Sequence, residues 1–303
     1  MKIKSLLFLI LAFNVCVTYS QNITFADSEV KSLCVAKWDT NGDGELSENE
    51  ALQVVSLGST FRQKANIKSF HELKYFLGLT KIDDYAFYQS GLTEVSIPVS
   101  VRAIGDYAFS QSSLGPSFVI PGHVKTIGEY AFSQCYNLLR VKLEEGVDSL
   151  GALAFRGPIY YLSLPSSIRY IGHQVVRVTG GTVAEGGNFV LPDETIYVYS
   201  RAKEPPAIHA NAFVTLFGDG FLVVPFGSKS AYQASRAWNR FMTIYEFGDV
   251  NQDRVINVLD AVAIVDYILG NNPSRFNYYI ADVNGDGKIS ISDAILVVNY
   301  ILG

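Results

Sequence analysis

A motif beginning at Ile82 returns at Ile104, Ile127 and Leu150, at intervals of 22, 23 and 23 residues, with a weaker copy at Ile171. The full copies read IDDYAFYQSGLTEVSIP, IGDYAFSQSSLGPSFVIP, IGEYAFSQCYNLLRVKL and LGALAFRGPIYYLSLP. Self-similarity at this period means one supersecondary unit per copy. No unit can bury its apolar face alone, so the units must stack into a solenoid. In LTEVSIP, Leu92, Val95 and Ile97 are predicted to face inward, while Glu94 and Ser96 face out from a short strand. Pro98 then stops the strand. Phe87, Phe109, Phe132 and Phe155, one per copy, are predicted to form a continuous column of core.

The pattern I-G-x-x-A-F…L-x-x-V-x-I-P resembles the BspA-like leucine-rich repeat proteins, which are secreted or surface proteins of anaerobic bacteria. The resemblance covers roughly residues 69–247 and implies an α/β solenoid of leucine-rich repeats. EPPAIHANAF and FLVVPFGSKSAYQASRAWNRFMTIYEF resemble the family's closing unit, a last strand followed by a short capping helix carrying Tyr232 and Trp238. RVTGGTVAEGGNFV, from Arg177 to Val190, departs from the repeat and reads as an irregular insertion.

Three acidic stretches flank the repeats. Calcium takes six to eight oxygen ligands, which a twelve-residue loop supplies from positions 1, 3, 5, 7, 9 and 12. In DTNGDGELSENE these are Asp39, Asn41, Asp43, the Glu45 carbonyl, Ser47 and Glu50, with helical patterns on both sides. This is the pattern of an EF-hand. DVNQDRVINVLD offers Asp249, Asn251, Asp253, the Val255 carbonyl, Asn257 and Asp260. DVNGDGKISISD offers Asp282, Asn284, Asp286, the Lys288 carbonyl, Ser290 and Asp293, 33 residues further on. A matching helix follows each of the last two, AVAIVDYILG and AILVVNYILG, and no helical pattern enters either loop.

This duplicated loop–helix arrangement resembles the type I dockerin modules, which plug into cohesin modules and attach proteins to a scaffold. The resemblance implies an all-α calcium-binding module over residues 248–303 and a cohesin-like partner. It also implies partner contacts at loop positions 10 and 11, here Val258 and Leu259, then Ile291 and Ser292. The two pairs differ, and the first lacks a hydroxyl. Position 6 is Gly287 in one loop and Arg254 in the other. A non-glycine residue in a left-handed conformation costs about 1 kcal/mol, so the Asp249–Asp260 loop is predicted to bind calcium more weakly.

These readings divide the chain into a signal peptide (1–20), an EF-hand-containing cap (21–68), the solenoid (69–247) and the dockerin-like module (248–303). Lys2 and Lys4 before the apolar run Leu6–Val17, ending in Thr18-Tyr19-Ser20, read as a cleavable export signal, hence a secreted or cell-surface protein. SFHELKYFLGLTKI leads from the EF-hand into the first coil without a linker, whereas Gly248 follows a capped end, so the C-terminal module is expected to be the more independent.

Composition narrows the function. A hydrophobic content of 49% with 17% charged residues indicates packed cores. The net charge of −5 offers no basic footprint for nucleic acid, and 11 of the 29 acidic residues sit in the three loops. Beyond the leader only Cys34 and Cys135 remain, expected as buried free thiols. His71, His123, His173 and His209 show no ligand spacing, and no nucleophile elbow, phosphate loop or dinucleotide fingerprint is present. Glu144 and Glu145 read as a solvated turn. The chain is therefore expected to be non-catalytic, recognising an extracellular protein or glycan through outward strand residues Glu94, Ser96, Arg140, Lys142, Tyr161 and Ser163. Two alternatives stay open: an accessory component of an extracellular polysaccharide-degrading complex, and a structural spacer.

Overall fold

The computed structural model describes residues 20–176, 196–213 and 220–303. Most of the export signal and the whole Arg177–Val190 insertion lie outside them.

The repeats wind into a parallel β-solenoid with two six-stranded ladders. The short-stranded ladder runs β2 (Lys81–Ile82), β4 (Ala103–Ile104), β6 (Thr126–Ile127), β8 (Ser149–Leu150), β10 (Tyr170–Ile171) and β12 (Ala207–Ile208). The longer strands are β5 (Ser117–Ile120), β7 (Arg140–Leu143), β9 (Tyr161–Leu164), β11 (Tyr197–Ser200), β13 (Phe221–Val224) and β14 (Thr243–Glu246). A further pair, β1 (Ser69–Phe70) and β3 (Glu94–Val95), sits at the N-terminal end. Each coil supplies a strand in register with the next, so Arg140 lies beside Tyr161 and Tyr161 beside Tyr197.

The expectation of an α/β solenoid needs correction here, because the A-F segments are not helical. Tyr85, Tyr107 and Tyr130 adopt left-handed φ values of 60°, 55° and 55°, as do Gln89, Gln111 and Gln134. N–H groups of these segments bond to the next coil, as in Tyr85 N to Asp106 O at 2.9 Å, Phe87 N to Ala108 O at 2.7 Å and Gln89 N to Ser110 O at 2.9 Å. Backbone donors that reach across coils cannot also close helical turns. The payoff of this geometry is the predicted column: Phe87, Phe109, Phe132 and Phe155 stack at successive ring separations of 5.1, 5.1 and 5.3 Å, and Phe61 continues it at 5.3 Å. All five are fully buried or nearly so. Leu92 and Ile97 are buried and Val95 packs against the same core, while Glu94 is exposed.

At the N-terminal end, α1 (Ser28–Trp38) and α2 (Glu48–Gln53) share the solenoid's core. Trp38 packs 5.5 Å from Phe76 and 6.1 Å from Phe61, measured between rings. At the other end α3 (Lys229–Ala234) buries Tyr232, whose hydroxyl donates to the Ala202 carbonyl at 2.8 Å. Trp238 Nε1 donates to the Pro206 carbonyl at 2.9 Å. Contrary to the sequence reading, α3 does not follow the last strand, because β14 comes after it and extends the long ladder. The C-terminal module then forms from α4 (Val258–Ile268), α5 (Tyr278–Ala281) and α6 (Ile291–Leu302), with α4 packed on α6. Cys34 and Cys135 are buried free thiols, and burial raises both pKa values, that of Cys135 to about 11. No helix among the described residues is long and apolar enough to cross a membrane.

Candidate functional site

The three acidic loops share one internal hydrogen-bond frame. In the first, Asp39 Oδ1 accepts from Gly42 N at 2.7 Å and Oδ2 from Gly44 N at 2.9 Å. Asn41 then accepts from Asp43 N, and Asp43 from Glu45 N, both at 2.8 Å. Glu50 closes the loop by accepting from Thr40 N at 2.8 Å and Ser47 N at 2.9 Å. Although burial opposes it, the bonds from Ser47 and Thr40 hold the Glu50 carboxyl down at about 2. Ser47 and Glu50 also form the capping box that starts α2, so helix and loop fix each other. The Glu45 side chain is turned outward to Lys31, 2.6 Å away, leaving its main chain in the loop.

The last loop repeats the frame. Asp282 accepts from Gly285 N at 2.8 Å and Gly287 N at 3.1 Å, Asn284 from Asp286 N at 2.8 Å, and Asp286 from Lys288 N at 2.8 Å. Asp293 accepts from Ser290 N and Val283 N, both at 2.9 Å, and caps α6 with Ser290. One expectation fails here: a helix does enter this loop. The four-residue α5, capped by Asn277, ends at Ala281, directly before Asp282.

The middle loop departs from the frame at one place. Asn251 accepts from Asp253 N, Asp253 from Val255 N, and Asp260 from Asn257 N, at 2.8, 2.9 and 3.0 Å. Asp249 Oδ2 accepts from Arg254 N at 3.0 Å, but Oδ1 is buried with no hydrogen-bond partner. Burial and the neighbouring Asp260 raise the Asp249 carboxyl to about 6. Positions 4 and 6 are left-handed in all three loops. They are glycines at 42, 44, 285 and 287, but Gln252 (φ 59°) and Arg254 (φ 75°) in the middle one. Sequence reasoning flagged Arg254 and overlooked Gln252.

The oxygen-only donor set of carboxylates, amides and hydroxyls is of the type calcium takes, and the Asp249 Oδ1 is buried without a hydrogen-bond partner, although among the described residues no three His, Cys, Asp or Glu side chains are gathered into a metal cluster. Val258, Leu259 and Ile291, at the first turns of α4 and α6, are 60%, 61% and 57% exposed, and Ser292 is exposed beside them.

The outward strand residues divide into two groups. Glu94 and Ser96 lie at the N-terminal end beside His71, whose Nε2 is 3.1 Å from Glu94 Oε1. Arg140, Tyr161 and Ser163 do not form a free outward face, because the C-terminal module covers this part of the ladder. The Arg140 guanidinium lies 5.2 Å from the Tyr161 ring and 4.6 Å from Tyr279 of α5, and Tyr161 packs on Tyr279 at 4.8 Å. Ser163 is only 6% exposed. Lys142 borders a cleft of about 510 Å³ between the module and the solenoid, with Arg201 and Asp282–Gly285 on its walls. Nor are Glu144 and Glu145 a merely solvated pair. Glu144 accepts from Gly122 N, and Glu145 from Ser166 N and Ser167 N, tying adjacent coils together.

Comparison with known proteins agrees with the two halves of this description. Residues 57–178 match the BspA type leucine rich repeat region in six copies, and residues 247–302 match the dockerin type I domain. The chain thus carries a BspA-type repeat region and a type I dockerin domain. No curated protein matches the chain. Among solved structures, one titled "The Crystal structure of Pneumococcal vaccine antigen PcpA" aligns at 12% identity with a TM-score of 0.19, covering 52% of this chain and 75% of that one.

Proposed function

We propose that the protein is a secreted, calcium-binding, non-catalytic interaction protein that docks to a cohesin-like partner through its C-terminal module. The observation that carries this reading is the exposure of Val258 and Leu259 at the first turn of α4 and of Ile291 at that of α6, each standing directly on an acidic loop. Exposed aliphatic side chains held on a helix pair are suited to burial against a partner. Calcium would be held by Asp249, Asn251, Asp253, Asn257 and Asp260 in one loop and by Asp282, Asn284, Asp286, Ser290 and Asp293 in the other. The main-chain carbonyls of Val255 and Lys288 would complete the two sets. The ion supplies the positive charge that lets several carboxylates close into one turn. The Asp39–Glu50 loop, with Asn41, Asp43, Glu45 and Ser47, would take a third ion and brace the first coil as an EF-hand.

Recognition by the repeats falls to the uncovered N-terminal part of the strand face, including Glu94 and Ser96, and to Lys142 in the cleft. The test is a binding screen of the full-length mature protein against immobilised cohesin modules, with calcium or with chelator. Capture of a cohesin in calcium, lost on chelation and weakened by Leu259→Asp, supports the reading. Capture indifferent to calcium, or to substitution at both helix starts, would overturn it.

A further inference from the structure

Along the long ladder, the outward positions change character. In β5 they are open, with Ser117 and Val119 both exposed, and in β7 half-buried. From β9 onward aromatic residues predominate, with Tyr161, then Tyr197 and Tyr199, then Phe221, then Tyr245, interrupted by Ser163, Val223 and Thr243. Tyr199 is 1% exposed and Tyr245 8%, although they point away from the solenoid core. What covers them is the C-terminal module. Tyr199, Val223, Tyr245 and Phe247 form one apolar cluster with Val250, Ala261, Ile264, Ile280, Ala294 and Val297 of that module. At its edge Phe226 stacks on Tyr300 at 4.5 Å between ring centroids.

One solenoid side chain reaches into an acidic loop. Arg201, next after β11, donates from Nη1 to the Val283 carbonyl and from Nη2 to the Asp282 carbonyl, both at 3.0 Å. Nη2 lies 3.7 Å from Asp282 Oδ2, and the guanidinium carbon sits 3.9 Å from the Phe247 ring centroid. A Cβ on Gly285 would stand 3.0 Å from that same carbon, so the loop wraps closely around the cation. Asp282 and Val283 are positions 1 and 2 of the loop, where its closed shape is set.

We propose that calcium loading of the Asp282–Asp293 loop latches the C-terminal module onto the strand face through Arg201, and that calcium loss releases the module and uncovers the aromatic strip. The proposal rests on the reading that this loop takes calcium. Its physical basis is shared geometry: Arg201 grips the closed turn, so opening the turn leaves a guanidinium without its carbonyl partners. Docking and closure therefore favour each other, and linkage makes the effect reciprocal. The occupant of the aromatic strip is the chain's own module. Arg201's own charge subtracts from this coupling, so the two carbonyl bonds must outweigh it, and docking is the direct readout.

The experiment places spin labels on Ser59→Cys and Ser274→Cys in the full mature chain, whose own thiols are buried, and measures the inter-label distance distribution. Calcium content is determined on the same samples. The proposal predicts one narrow distance with calcium, and loss of that narrow distance on chelation. Arg201→Gln is expected to lose it in calcium with its calcium content unchanged, and Asp282→Asn, which removes a ligand of this loop, to lose it together with that loop's ion. Failure of the wild type to bind calcium removes the reading on which the latch depends. Normal wild-type binding with an unchanged narrow distance after chelation, or in either variant, overturns the latch alone.

Discussion

The carboxylate of Asp27 joins two parts of the chain: Oδ1 accepts from Glu29 N and Val30 N at the start of α1, and Oδ2 accepts from Lys68 N, 2.6 Å away at the entrance to β1. A helix cap alone is worth about 1 kcal/mol. Asp27→Ala should therefore cost about 1–2 kcal/mol in denaturant unfolding, with whatever exceeds the cap's share coming from the lost tie to Lys68.

The same residue gives a pH dependence of definite sign. Burial raises the Asp27 pKa, but bonds from Lys68, Val30, Ser69 and Glu29 outweigh it and leave the value below that of a free carboxyl. A depressed folded-state pKa means a contribution fully present above the unfolded value and lost as pH falls through the folded one. The stability gap between wild type and Asp27→Asn should thus be constant near neutrality and shrink in acid. A gap that widens on acidification would contradict this.

The phenylalanine column should be the most sensitive part of the solenoid. Phe109 stacks between Phe87 and Phe132 with no exposed surface. Phe109→Ala is expected to cost about 3–5 kcal/mol, measured by urea denaturation, because neighbouring coils pinned by backbone bonds cannot collapse into the void. Phe109→Leu should cost clearly less.

Of the three acidic loops, the middle one should bind calcium most weakly. Gln252 and Arg254 hold left-handed conformations that glycine holds in the other loops. Replacing either by Gly should strengthen calcium binding at this loop by about 1 kcal/mol, roughly fivefold, if the metal-free loop relaxes the strain. Calorimetric titration of variants with only one loop intact checks the ranking. Equal affinities across the three loops would refute it.

How much of this was legible beforehand follows from range in the sequence. Local, repeated chemistry was readable: the Ile82 period, the Phe column, and the acidic stretch from Asp39 to Glu50 as a turn whose carboxylates accept from its own main-chain N–H groups. The four-residue α5 was too short for a periodic signal. The α/β character implied by the family resemblance fails at the turns of Tyr85 and Tyr107, whose donors are satisfied by the next coil, a partner that the local sequence does not name. The covered strand face was half visible. Outward Tyr197, Tyr199, Phe221 and Tyr245 make an apolar surface that needs a cover, but nothing local shows that Tyr279 and Val250 provide it. Arg201 carried no signal, since a lone arginine after a strand reads as a solvated charge.

The most direct test is calorimetric titration of calcium into the full mature chain after chelation. Three ions per chain are predicted, with the number reduced by one in Asp39→Ala and by one in Asp282→Ala. A chain that takes up no calcium at millimolar concentration would contradict the account at its centre.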